Sequence, residues 1–216
     1  MKKDLVIKRV KFDIKKIADG FNISEEEAIV VFKDGRFISR LTETMIRELE
    51  GVKIHKSAVQ KESDGVIECK GKCDDIKLSS KTLTDNGVKF QQSKYVGQSR
   101  TCSKENLKKS IKLCERIFVV DIRAFPVVSE IVITAVLLME WFNDGYLTQY
   151  GLKAEKFYKL LQSEYNLVQE FYQYDSLKKI YIKTNEVLAD DIAEIAKTDS
   201  ILDAPSKKDD FYNNLA

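Results

Sequence analysis

Three features of this 216-residue chain predict an α/β (α+β) fold with a mixed central sheet flanked by helices. Short β-rich apolar runs recur through the middle of the chain. A run with an uninterrupted apolar centre, "RIFVVDI", directly follows a basic amphipathic segment, giving the order strand, helix, strand. Upstream, apolar residues recur every four positions from Arg36 to Glu50, which is the signature of a helix with one buried face. A chain of this length can bury a substantial core.

The elements follow in order. "ISEEEAIVVFKD" opens with Ser24 as an N-cap and Glu27 three residues on, a capping box, and meets a turn at Asp34-Gly35. In the next helix Phe37, Leu41, Met45 and Leu49 form the apolar stripe with Ile38 beside it, and Gly51 is the stop. "VKIHKSAVQ" and the stretch from Glu62 to Phe90 hold apolar runs of strand length, separated by Gly-Lys-Cys-Asp-Asp, and read as adjacent antiparallel strands. "KENLKKSIKLCE" reads as the basic helix before "RIFVVDI". A further strand, roughly "VVSEIVIT", precedes the short helix "AVLLMEWFNDG", whose Trp141, Met139 and Phe142 suit core packing. "LKAEKFYKLLQSEYNLVQEFYQY" is expected to be helical, and "TDSILDAPSKKDDFYNNLA" to form a loosely held tail.

Composition narrows the function classes. Lys and Arg total 36 against 34 Asp and Glu, so a nucleic-acid partner would require local clustering of positive charge. The longest apolar run is too short to span a bilayer, and the charged N-terminal stretch lacks the apolar segment of a signal peptide; a cytoplasmic protein without membrane association is expected. Cys69, Cys73, Cys102 and Cys114 fit reduced thiols. The C-x3-C spacing of the first pair has no matching second pair, and His55, the one histidine, stands apart, which argues against structural zinc. The nine scattered glycines form no phosphate loop, and no G-x-S-x-G motif supports a triad with His55.

The charged strand pair carries more specific chemistry. Asp64 stands just before "GVIEC", and Lys81 closes "IKLSSK". An acid at the start of one strand and a lysine at the end of its neighbour converge when the strands pair. Metal-dependent phosphodiester hydrolysis needs that convergence, because a carboxylate binds Mg²⁺ through hard oxygen contacts while a lysine orients water or balances developing charge. Taken singly, such an Asp is an ordinary turn residue and such a Lys an ordinary edge charge.

In these residues the chain resembles the PD-(D/E)xK nucleases, and more closely a group of type II restriction endonucleases. The resemblance spans residues 24 to 161: "FKDGRFISRLTETM" matches the helix bearing a glutamate, "SDGVI" the strand with the first acid, and "LSSKTLTDNGVKFQQSKYVGQSR" the second strand with its loop. "IFVVDIRAFP" matches the core strand after the helix, and "YGLKAEKFYKLL" the closing segment. The resemblance implies a restriction-endonuclease-like sheet, a nuclease-like catalytic domain over residues 1 to 161, and a C-terminal helical extension with its tail over 162 to 216. It also implies Mg²⁺ as cofactor, double-stranded DNA as substrate, a homodimer, and a DNA methyltransferase as the companion activity that protects the host. Asp64 is then the first acid and Lys81 the lysine, but Ser79 occupies the position of the second acid. Glu43, Glu68 and Glu105 are candidates for the relocated carboxylate, with Asp64, Glu43 and Glu68 the candidate metal ligands. "ECK" offers an alternative E-x-K in Glu68 and Lys70.

The loop beyond Lys81 suits DNA. Lys89, Lys94, Arg100, Lys104, Lys108 and Lys109 are interleaved with Gln91, Gln92, Ser93, Tyr95, Gln98 and Ser99. Lysine and arginine contact phosphates, while glutamine and arginine also read base edges. "YVGQSR" resembles half of a GIY-YIG motif, but "GVKF" precedes it too closely for the required hairpin. The aromatic series from Phe157 to Tyr174, read as helix, is the expected subunit interface.

Overall fold

The computed structural model describes residues 2–54, 65–67, 76–91, 102–175, 178 and 180–184. An eight-stranded mixed sheet organises the described chain, in the order β2-β3-β4-β5-β6-β1-β7-β8. Strand β1 (Lys3–Lys11) enters its middle. Three helices follow: α1 (Ile14–Phe21), α2 (Glu25–Phe32) and α3 (Gly35–Glu50). Next come the short strands β2 (Lys53–Ile54) and β3 (Gly65–Ile67), then β4 (Ile76–Leu83), helix α4 (Lys104–Lys112) and strand β5 (Arg116–Asp121). Strand β6 (Val127–Thr134), helices α5 (Ala135–Asn143) and α6 (Ala154–Glu164), and strands β7 (Tyr165–Asp175) and β8 (Ile180–Thr184) complete it.

Local chemistry accounts for most boundaries. Asp13 caps α1 by accepting from the Lys16 amide, and Asn22 ends it at φ +55°, a left-handed turn that asparagine tolerates better than most residues. The capping box at Ser24 and Glu27 forms as its spacing predicts, and the hydrogen bonds from Ser24 pull the Glu27 carboxyl below its ordinary range. Ser103 and Thr134 cap α4 and α5 through their hydroxyls.

Strands β4 and β5 run parallel, joined through α4, while β5 and β6 form an antiparallel pair turned at the cis Phe125–Pro126 bond. Both faces of the central strands are covered, which explains why Ile117 to Val120 are apolar in succession rather than alternating. One core joins Ile7, Leu83, Ile117, Val119, Ile131 and Ile133 to α4, α5 and α6. The opposite core joins Val10, Leu78, Phe118, Val120 and Val128 to Phe32 of α2 and to Ile38, Met45 and Ile46 of α3.

The structure corrects two expectations and adds a strand. The buried stripe of α3 runs through Ile38, Thr42, Met45 and Ile46, whereas Phe37 is 51% exposed and stacks edge-on with Phe32 instead. The segment after Glu164 is a strand, not a continuing helix: Leu167, Val168, Phe171 and Tyr172 are β-favouring, and β7 pairs in parallel with β1 over eight registered positions. The described residues beyond 161 therefore belong to the same sheet as the rest. The charged N-terminal stretch, for which no element was expected, forms β1, a strand inside the sheet in which Leu5, Val6 and Ile7 stand between charged residues.

Candidate functional site

Strands β3 and β4 are antiparallel neighbours, with Gly65 opposite Leu78, Val66 opposite Lys77 and Ile67 opposite Ile76. Asp64, the residue before Gly65, lies outside the described residues, as do Glu68, Lys70, His55, Cys69 and Cys73. Along β4 the side chains alternate. Leu78 joins the core under α3, so Ser79, Lys81 and Leu83 face the other way, toward α4 to α6. The register agrees, since Ser79 lies beside Ile117 and Lys81 beside Val119, both members of that second core. Ser79 is buried and Lys81 half-buried. Two positions that the resemblance treats as one unit thus share a sheet face.

The candidate carboxylates divide. Glu43 sits on α3, against the opposite face of the sheet from Lys81, and accepts from the Arg40 guanidinium at 2.7 Å. Glu105 is on the helix that covers the Lys81 face, but Leu107 and Ile111 are the residues that α4 turns to the core, and Glu105 is exposed on its outward side. Among the described residues no group of three His, Cys, Asp or Glu side chains could hold a metal ion.

One acid on the Lys81 face escaped the sequence reading. Asp121 registers with Leu83, two positions beyond Lys81 along β4. Its carboxylate accepts from the Arg123 amide at 3.0 Å, from Arg123 Nε at 3.0 Å, from Arg123 Nη2 at 2.6 Å and from the Tyr158 hydroxyl at 2.8 Å. All three residues are buried. Burial pulls the Arg123 guanidinium down, but its bonds to Asp121 outweigh that and hold it above its ordinary value. Four donors saturate Asp121, so it anchors α6 to the end of β5 and is not available to a metal. Only the Asp-x-Arg pattern ending a buried strand could have signalled this pair; Tyr158 comes from a helix 37 residues later.

A second arrangement invisible in the sequence shapes the loop after Lys81. Thr84 to Gly87 and Thr148 to Gly151 form matching Thr-x-x-Gly turns, each with the threonine hydroxyl accepting from the amide two residues on, at 3.3 Å. Reciprocal hydrogen bonds between Val88 and Leu152, at 2.8 and 2.9 Å, clasp the turns together. Gly87 and Gly151 have φ of +91° and +95°, and a Cβ on either would stand 2.1 Å from a carbonyl oxygen of the other turn. Gln91 closes the clasp: its amide nitrogen donates to the Ser103 carbonyl at 2.9 Å and to that of Gln149 at 3.3 Å. This gives Gln91 a role in holding the N-terminus of α4 at the end of β4.

The other DNA-directed candidates fall in two groups. Gln92, Ser93, Lys94, Tyr95, Gln98, Ser99 and Arg100 lie outside the described residues. Lys89, Lys104 and Lys108 are described and exposed, and Lys104, Lys108, Lys109 and Lys112 share the exposed side of α4 with Glu105. Phe157 and Tyr158, the first of the aromatic series expected to make core and subunit contacts, are buried in the core and do not offer an interface. Among the described residues Cys102 and Cys114 form no disulfide, and no described helix is long and apolar enough to cross a membrane. No protein-family model, curated protein sequence or solved structure matches the chain.

Proposed function

We propose that this chain is a Mg²⁺-dependent endodeoxyribonuclease of the type II restriction class, cutting a short specific sequence in duplex DNA. The observation that carries the reading is the antiparallel β3–β4 pair, with Lys81 on β4, followed by the crossover through α4 to the parallel strand β5. This is the order of helix, strand, strand, helix and strand that the resemblance to PD-(D/E)xK nucleases requires. In this reading Asp64 and Glu68 hold the ion, which when bound would polarise the phosphodiester and acidify a water. Lys81 orients the attacking water or balances charge on the phosphate. The exposed lysines of α4 meet the DNA backbone, where each phosphate contact releases counterions.

A second reading has its own support: Ser79 stands where the resemblance expects an acid. In that reading the fold binds DNA or a protein partner without cleaving. Incubation with unmethylated phage DNA and Mg²⁺ separates the two. Discrete bands that vanish on chelation support the nuclease, and intact DNA retained on a filter supports the binder. Symmetric cutting of a palindrome calls for a homodimer, measured by light scattering with DNA, on a surface other than Phe157 and Tyr158. A DNA methyltransferase active on the same sequence is the companion expected of a restriction enzyme.

A further inference from the structure

Glu130 lies at the middle of β6, between β5 and β1, with its side chain on the face packed by α3. The residue is 1% exposed, and among the described residues neither carboxylate oxygen has a hydrogen-bond donor. An unpartnered buried carboxylate is among the least favourable groups a protein can contain, and the surrounding structure must tolerate it in one protonation state or exploit both. Its register partner is Lys8 on β1, whose ammonium is bound instead to Glu50, the last residue of α3.

Other charged groups define the setting. Lys8 lies over the Tyr172 ring of β7, 5.9 Å from its centroid. The Tyr172 hydroxyl donates to Glu170 at 2.8 Å, and Lys183 of β8 pairs with the same carboxylate at 2.7 Å. From β5 the registered neighbour of Glu130 is the apolar Val120. Glu48, in the last turn of α3, is held by Arg47 at 3.0 Å. Among the described residues Lys8 is thus the cation placed to answer a charge on Glu130, and it is already engaged by a second carboxylate. Burial drives the Glu130 carboxyl up to about 7, against the opposing pull of Lys8.

We propose that Glu130 is a proton-controlled latch on the C-terminal end of α3. While Glu130 is protonated, Lys8 stays on Glu50 and ties the last turn of α3 to β1. When Glu130 releases its proton to solvent, the ammonium of Lys8 shifts toward the buried carboxylate and the Lys8–Glu50 pair opens. The end of α3 matters because Gly51, at φ +64°, turns the chain directly into β2, the strand that pairs with β3. Proton release at the centre of the sheet then loosens the outer strands. The latch follows from the packing of β1, β6 and α3 alone, so it stands whether or not the chain cuts DNA.

Carboxyl-directed NMR on the full chain between pH 5 and 9, together with amide hydrogen exchange over Arg47 to Gly51 corrected for the intrinsic rate, tests the proposal. The Glu130 carboxyl is expected to titrate near neutrality, with the Glu50 carboxyl resonance stepping at the same midpoint. Protection of the last turn of α3 should fall roughly two- to fivefold across that midpoint, the range that one partly exposed ion pair supports. Glu130→Gln, near in shape and always neutral, should hold protection at its low-pH value. Glu50→Gln should start with lower protection and respond little to pH although Glu130 still titrates. A Glu130 midpoint below pH 5, a Glu50 resonance indifferent to it, or identical pH profiles for the wild type and Glu130→Gln would each overturn the latch.

Discussion

Replacing Gly87 by alanine isolates the clasp between the two Thr-x-x-Gly turns. At φ +91° any L-residue is strained by about 1–2 kcal/mol. The added Cβ would also stand 2.1 Å from the Leu152 carbonyl oxygen and 3.0 Å from Lys153 Cα, both of them backbone atoms. The turns must separate, and the paired hydrogen bonds between Val88 and Leu152 lengthen or break, at about 1 kcal/mol each. Alanine also restricts the unfolded chain, which returns about 0.4–1 kcal/mol. Gly145→Ala is the matched control, because Gly145 has φ +77° and no atom lies within 4 Å of the place its Cβ would take. Strain and unfolded-state entropy are common to both variants, so Gly87→Ala should be the less stable by about 2 kcal/mol. Gly151→Ala should resemble Gly87→Ala, since its Cβ meets the Val88 oxygen at 2.1 Å. Urea denaturation with a shared m-value measures the difference. If Gly87→Ala loses no more stability than Gly145→Ala, the clasp does not constrain the turns as argued.

Three further outcomes follow from the geometry. Lys81→Ala and Asp64→Ala should each abolish Mg²⁺-dependent cleavage while retaining DNA affinity within a few fold; full activity in either rejects the proposed site. Lys104→Ala and Lys108→Ala should weaken binding to cognate and scrambled duplexes alike and reduce the slope of log K against log salt by about one each, whereas an unchanged slope would remove α4 from the DNA interface. Glu130→Gln should change the pH dependence of stability. The folded Glu130 carboxyl, at about 7, lies above its ordinary value of 4.5, so the folded state binds more protons in that interval and wild-type stability falls as pH rises through it. At pH 8 the variant should therefore gain up to about 3 kcal/mol over its difference from wild type at pH 4.5, read by denaturation at both pH values; parallel pH profiles would show that Glu130 titrates normally.

Features that depend on neighbours in sequence were legible without the fold. The capping box of α2 is closed by residues three apart, and the successive apolar residues Ile117 to Val120 of β5 announce burial on both faces. The alternation between α4 and its flanking strands fixes a parallel crossover. The antiparallel pairing of β3 with β4 was legible for the same reason, its apolar runs being short and β-rich.

Tertiary structure decided the rest. β1 is half charged, and only its place between β6 and β7, where Arg9 donates to Ser129 at 2.8 Å and to Gln169 at 3.1 Å, makes such a sequence a buried strand. The segment after Glu164 fits a helix or a strand by its spacing, and pairing with β1 selects the strand. Which face each acid occupies was likewise undetermined. Glu43, Glu105 and Asp121 are alike as carboxylates, but the helix packing sets one across the sheet from Lys81, one toward solvent and one beneath four hydrogen-bond donors. Residue spacing specifies which side chains share a helix face or strand face. Which of those faces meet is set by contacts between segments far apart in the chain, formed only when the sheet and its two helical layers close together.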